Sequence, residues 1–300
     1  MTLNSDQREQ IRQAILGARQ RYTGTDNKFS SSIGISPATF SRLKNHGKTD
    51  KMIADDTWIT LGIKFGVEFN KPIEEEVVET YAFKYLTTQM DYCKDNSIAR
   101  LFCDIPDAGK TVAARWFSQN RVNAFYIDCG QSKTYSQFIR ALAQAAGMKT
   151  TGSIAQIRKS LCYNIRSLER PIFLVDEGGK LSYSAFVEIQ DIWNDTKGYC
   201  GWYMLGALGL KEKIDKCMAR ETVGYSEFFR RFGSEYQRIT PEDRAGFIEY
   251  WMGEAERIVD KVIPGYHFED FLPRDGKGNP IYSLTRLIEN INKLQRRNAA

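Results

Sequence analysis

RLFCDIPDAGKTVAARWF, residues 100–117, decides how this chain is read. A short apolar run enters a turn, Gly109-Lys110-Thr111 follows, and an amphipathic run with Ala113, Ala114, Trp116 and Phe117 leaves. Strand, loop and helix in that order are what a phosphate-binding P-loop requires. Amides at the helix start face phosphate oxygens, Lys110 reaches the β- and γ-phosphates, and the Thr111 hydroxyl can hold Mg²⁺. Asp107, Ala108, Gly109, Lys110, Thr111 and Val112 are therefore the candidate nucleotide-binding loop. The pattern GxxxxGK[ST] is incomplete here. Asp104 stands where its first glycine belongs, and Asp107 where many such loops carry another. Glycine lets backbone approach phosphate closely, whereas a carboxylate adds like-charge repulsion, although Asp tolerates left-handed backbone. The expectation is that both acids weaken phosphate binding.

A second element lies at the right distance. PIFLVDE, residues 171–177, is a buried-strand run that closes on two carboxylates, the arrangement of a Walker B strand. Asp176 would hold Mg²⁺ through water and Glu177 would polarise the attacking water. The same two acids would also serve as a plain cap on the next helix.

Working outward, strands and helices alternate. Residues 77–93 have helical periodicity and precede the first strand; 124–129 (AFYIDC) read as a second strand, followed by the polar loop 130–134 (GQSKT). Residues 135–146 form a strong amphipathic helix, 149–151 a polar loop, and 154–168 another helix leading into PIFLVDE. A helix over 184–196 and a strand over 202–205 follow. The expected fold class is α/β, a parallel sheet with helices on both faces. Past Gly209 the pattern turns helical, over 210–219, then 225–241, and then 241–262 and 283–294 as a compact lid, with 296–300 frayed.

Upstream, residues 5–22 carry Ile11, Ala14, Ile15 and Ala18 at helical spacing. In 27–47, NKFSSSIGISPATFSRLKNHG, the residues Phe29, Ile33 and Ile35 offer an apolar seam and Gly34 suits a tight turn. Ser36-Pro37 is an N-cap followed by proline at the first helical position. Phe40 and Leu43 point inward, leaving Thr39, Ser41, Arg42 and Lys44 outward. This is the pattern of a helix-turn-helix, and also of an ordinary helical hairpin. Trp58, Leu61, Ile63 and Phe65 would close the small core. NKPIEEE, 70–76, is a shift in composition and marks an interdomain linker. The expected organisation is 1–69 as a DNA-binding domain, 70–76 as linker, 77–239 as core and 240–300 as lid.

Composition narrows the setting. Three hundred residues with a net charge of +5 and a pI near 8.7 allow nucleic-acid contact without demanding it. Six cysteines without a CxxC pair, and two distant histidines, His46 and His267, leave no legible zinc site. The cysteines read as reduced core residues, which implies a cytoplasmic protein. The polar start, MTLNSDQREQ, does not resemble a signal peptide, and no apolar run approaches the length that spans a membrane.

With these pieces placed, the chain resembles AAA+ ATPases of the phage Mu B transposition-protein type, related to transposon-encoded target-selection ATPases. The resemblance rests on GKT at 109–111, on IFLVDE at 172–177, and on the order of helix-turn-helix, linker, core and lid. It implies ATP and Mg²⁺ as cofactors, and duplex DNA, a transposase and further copies of the chain in a helical oligomer as partners. EFFRRFG, 227–233, matches the place of an arginine finger, putting Arg231 in that role with Arg230 as substitute. SLTR, 283–286, resembles the sensor-2 motif, so that Arg286 would touch the γ-phosphate. A solvated basic pair and a surface arginine are the other readings of these residues. Where the family shows a polar sensor-1 residue, this sequence has Gly206-Ala207-Leu208, which implies a slow ATPase. DNA contacts in such assemblies come from polar and basic loops, here Gln131, Lys133 and Thr134 with Lys149 and Thr151, alongside Thr39, Arg42 and Lys44 in the N-terminal module. The competing expectation is a DNA-binding transcriptional regulator with a degenerate nucleotide site.

Overall fold

The computed structural model describes residues 3–20, 22, 24–45, 53–65, 67 and 77–298, and the chain divides into two compact units, Met1–Glu75 and Glu76–Ala300. The expected linker at 70–76 lies outside the described residues, as does His46.

The first unit holds α1 (Ser5–Gln20), α2 (Asp26–Ser32), α3 (Pro37–Asn45) and α4 (Asp55–Lys64). Ile11 and Ile15 of α1 are buried against Phe29, Ile33, Ile35, Phe40, Leu43, Trp58 and Leu61. Phe29 meets Phe40 edge-on, with ring centroids 5.3 Å apart. Between α2 and α3 the chain turns through Gly34 at φ +81°, a conformation that costs a side-chain-bearing residue about 1–2 kcal/mol. Ser36 then caps α3 by accepting from the Thr39 amide at 3.1 Å. Two short helices around a glycine turn are thus present as expected. Phe65 packs half-buried on this core, while the Ile63 side chain lies outside the described residues.

The second unit is built on five parallel strands, β1 (Ala99–Cys103), β2 (Ala124–Asp128), β3 (Ile172–Asp176), β4 (Gly201–Gly206) and β5 (Tyr236–Gln237), in the order β2-β3-β4-β1-β5. Side chains alternate across it as strand geometry dictates. Phe173, Val175, Trp202 and Met204 face a layer containing α7 (Tyr135–Ala145), α8 (Ile154–Ser167), α9 (Tyr183–Asp195), α10 (Leu208–Ala219) and α11 (Tyr225–Arg231). Ile172, Leu174, Tyr203 and Leu205 face α5 (Tyr81–Asn96) and α6 (Lys110–Asn120). The fold is therefore the expected α/β arrangement with helices on both faces. Register aligns Asp128 with Asp176 and Cys103 with Gly206, so the loops that follow these strands share one edge.

Two expectations need correction. Residues 225–241 do not continue as helix: α11 ends at Arg231, Gly233 and Ser234 take positive φ, and Tyr236–Gln237 pair with Leu101–Phe102 as β5. A two-residue strand is too short to leave a periodic signature. At the other end α13 (Leu284–Asn298) runs through Arg296 and Arg297 rather than fraying there. Together with α12 (Arg244–Val262) and a 3-10 turn at Phe268–Phe271 it encloses its own apolar cluster, centred on Trp251, Ile258, Phe271, Leu287 and Ile291.

All six cysteines are free, five of them buried. Among the described residues no helix is long and apolar enough to cross a membrane, and no group of three or more metal-ligating side chains is assembled.

Candidate nucleotide-binding site

The site begins where β1 stops. Gly109, at φ +72°, turns the chain into α6, a conformation glycine adopts without strain. The first α6 residue after the turn whose amide finds a backbone acceptor is Ala113, on Gly109 O, which leaves the amides of Lys110, Thr111 and Val112 at an open helix end. Lys110 Nζ folds back on the loop, donating to Asp104 O at 3.1 Å and to Ile105 O. Burial pulls its ammonium below the usual lysine range, while Asp104 and Asp176 act in the opposite direction.

Thr111 Oγ1 donates to Asp176 Oδ2 at 2.7 Å, and Asp176 is 2% exposed. The same oxygen accepts from Tyr126 Oη at 2.9 Å, and Oδ1 accepts from the Glu177 amide at 2.9 Å. Tyr126 was not legible as a site residue. Its only trace is its place in β2, one strand over from Asp176. Burial, with Asp176 alongside, pushes the Tyr126 phenol up, so it remains a proton donor. The Arg115 guanidinium lies 5.4 Å from the Tyr126 ring. Glu177 takes left-handed backbone at φ 54° and pairs with Lys180. Neither acid caps α9; Ser182 does that, accepting from the Ala185 amide at 3.3 Å.

The two loop acids are both engaged by hydrogen bonds to segments that follow β5. Asp104 is fully buried and accepts from the Ile105 amide at 2.7 Å, the Ile239 and Thr240 amides at 3.0 Å each, and the Thr240 hydroxyl. Arg238 Nε is 3.5 Å away. The carboxylate fastens β1 to the segment after β5. Asp107, at φ 70°, sends its carboxylate to the start of α13. There it accepts from Ser283 Oγ at 2.8 Å, from the Thr285 amide at 3.1 and 3.2 Å, and from the Thr285 hydroxyl. Both carboxylates thus act as structural ties, and both still act through their charge on the Lys110 ammonium. Arg286, next along α13, is exposed and its side chain has no partner among the described residues. At the end of β4, a Cβ on Gly206 would stand 2.5 Å from Leu210 Cδ2, so α10 is seated where a sensor side chain would project.

Arg231 lies elsewhere. Its Nε donates to Asn194 Oδ1 at 2.9 Å, its Nη1 to Glu227 O at 3.2 Å, and its guanidinium is 5.6 Å from the Trp193 ring. Trp193 and Asn194 sit near the end of α9, roughly 16 Å along that helix from its start, and Glu227 is in α11 itself. Arg230 beside it is exposed.

The residues expected to touch DNA are dispersed. Gln131, Lys133 and Thr134 follow β2 on the same edge as the loop, but Thr134 is engaged as the N-cap of α7 in a capping box with Gln137. Lys149 and Thr151 are exposed in the α7–α8 turn, where Arg140 holds the Thr150 and Gly152 carbonyls. In the first unit Thr39 shares a 2.8 Å hydrogen bond with Ser36, Lys44 pairs with Asp26 at 3.0 Å, and Arg42 is exposed.

An ammonium and open helix-start amides suit a triphosphate, and a hydroxyl already bonded to a buried carboxylate suits Mg²⁺. Residues 105–213 match the family model described as AAA domain. Among solved structures the chain is similar to Cdc6p from Pyrobaculum aerophilum, at 12% identity over 61% of this chain and 52% of that one, with a TM-score of 0.45. It is also similar to the Aeropyrum pernix Orc1 protein solved in complex with DNA, at 16% identity over 60% and 50%, with a TM-score of 0.42. The chain thus spans about half the length of these structures. No curated protein matches it. The sheet order and the loop geometry are in keeping with the AAA-domain match over residues 105–213.

Proposed function

We propose that this chain is an ATP-binding, slowly hydrolysing ATPase that assembles on duplex DNA as a helical homo-oligomer and there engages a transposase. The observation that carries the nucleotide half is the Thr111–Asp176 hydrogen bond, which joins the loop hydroxyl to the strand-end carboxylate beneath Lys110. In this reading Lys110 leaves the Asp104 and Ile105 carbonyls for the β- and γ-phosphates. Thr111 and Asp176 hold Mg²⁺, which when bound neutralises phosphate charge. Glu177 releases Lys180 to orient water, Arg286 meets the terminal phosphate, and Arg231 acts on a neighbouring subunit. The DNA half is supported by the outward residues of α3, with Arg42 foremost, and by the net charge of +5. Phosphate contacts of this kind give strong salt dependence and slight sequence preference.

The test is Lys110→Ala, with ATP binding measured by calorimetry and assemblies on duplex DNA viewed by electron microscopy with and without ATP and Mg²⁺. Loss of both binding and nucleotide-dependent assembly is expected. Unchanged ATP affinity would remove the P-loop assignment, and wild-type assemblies indifferent to nucleotide would remove the oligomer.

A further inference from the structure

Among the ties between lid and core, two are carboxylates that each cap a helix of the other part. Glu254 of α12, fully buried, accepts from the Tyr81 and Ala82 amides at the start of α5, at 2.9 and 3.0 Å, and pairs with Arg257 at 2.7 Å. Asp107 of the loop accepts from Ser283 and Thr285 at the start of α13. The first tie is sealed from water and acts as a fixed anchor. The second is exposed, so solvent competes for it and its worth is a cap's, not a core contact's.

The exposed tie stands in a telling position. Asp107 is two residues from Gly109 and three from Lys110, and Thr285 directly precedes Arg286. One carboxylate therefore registers the first turn of α13, and with it the backbone of Arg286, on the loop that ends in Lys110. The backbone at 107 is left-handed, which glycine adopts freely. Glycine there would keep the loop and lose the tie. An aspartate accepts some backbone strain and gains three donors on α13, counting the Thr285 amide and both hydroxyls.

We infer that Asp107 is a positioning residue: it fixes the placement of Arg286 relative to the loop lysine, and through Arg286 it separates a nucleoside triphosphate from a diphosphate. This rests on the proposed nucleotide reading of the loop. Asp107 itself touches no phosphate; it acts by holding the lid helix in register.

The experiment uses the full chain with Mg²⁺ and compares affinity for ADP and for a slowly hydrolysed ATP analogue by calorimetry, in Asp107→Gly, Asp107→Asn, Arg286→Ala and the Asp107→Gly/Arg286→Ala double variant. Asp107→Gly is expected to weaken the triphosphate about 5- to 10-fold and leave ADP within about twofold. Asp107→Asn, whose amide oxygen still accepts from Thr285, restores part of the loss. The double variant is no worse than Arg286→Ala alone, because both changes remove one interaction. Equal loss of ADP and triphosphate affinity, additive losses in the double variant, or tighter triphosphate binding in Asp107→Gly would each overturn the inference. Lys110→Ala serves as the control. If it leaves binding intact, the nucleotide reading falls; if it abolishes binding while the other two losses add, only the role of Asp107 falls.

Discussion

Replacing Asp104 by alanine is expected to cost this protein about 3–5 kcal/mol, although a glycine at that position would complete the loop pattern. The magnitude follows from its partners. The carboxylate is fully buried and takes the Ile105, Ile239 and Thr240 amides and the Thr240 hydroxyl, with Arg238 Nε at 3.5 Å. Hydrogen bonds to a charged group contribute about 1.5–3 kcal/mol each, and every buried donor left unmade costs about 1–3 kcal/mol. Thr240 is 3% exposed, so water does not readily replace the lost acceptor at its amide. Arg238 keeps Glu242, at 2.9 Å, which limits the penalty for its stranded charge. Urea unfolding followed by tryptophan fluorescence measures the cost. With a slope of about 2 kcal/mol per molar, the midpoint should fall by about 1.5–2.5 M. Asp104→Asn keeps one acceptor oxygen and should lose about half as much. A midpoint shift below about 0.5 M for the alanine variant would refute the claim that Asp104 fastens β1 to the segment after β5. Asp104→Gly belongs with the alanine variant, destabilised rather than improved.

Two further outcomes are expected. Arg231→Ala should bind ATP yet neither hydrolyse it nor assemble, and mixing it with Lys110→Ala should recover part of the hydrolysis, since each variant keeps the half-site the other lacks; no recovery in demonstrably mixed oligomers would move the role to the exposed Arg230. In DNA titrations over a salt series, Arg42→Ala should reduce the salt slope by about one phosphate's share, whereas Lys44→Ala should change it less because Lys44 is held by Asp26; equal effects would show that the Asp26 pair opens on DNA.

The loop, the carboxylate-ended strand and the parallel sheet were legible because each is a local pattern: an apolar run, a turn, a helix start. Asp104 and Asp107 were legible as departures from that pattern but not in what they do. Their partners lie more than a hundred residues away, at Thr240 and Thr285, and no spacing rule joins a loop carboxylate to a distant helix start. The same limit hid Tyr126, which reaches Asp176 only because β2 and β3 are neighbours in register. Lys44 read as a free basic residue because Asp26 approaches it only once α2 and α3 fold against each other. β5 was missed for a different reason: it is two residues long and is held by its partner strand rather than by its own pattern.

Gly206 and Leu210 form one steric unit at the end of β4, where any Cβ on the glycine would collide with the leucine side chain. A polar side chain at position 206 itself therefore requires Leu210 to shrink in the same step. Under the proposed function, hydrolysis would then pass unnoticed at the centre of the sheet. News of the missing phosphate would have to leave by the periphery, through the lid helix on one side and the adjoining subunit on the other.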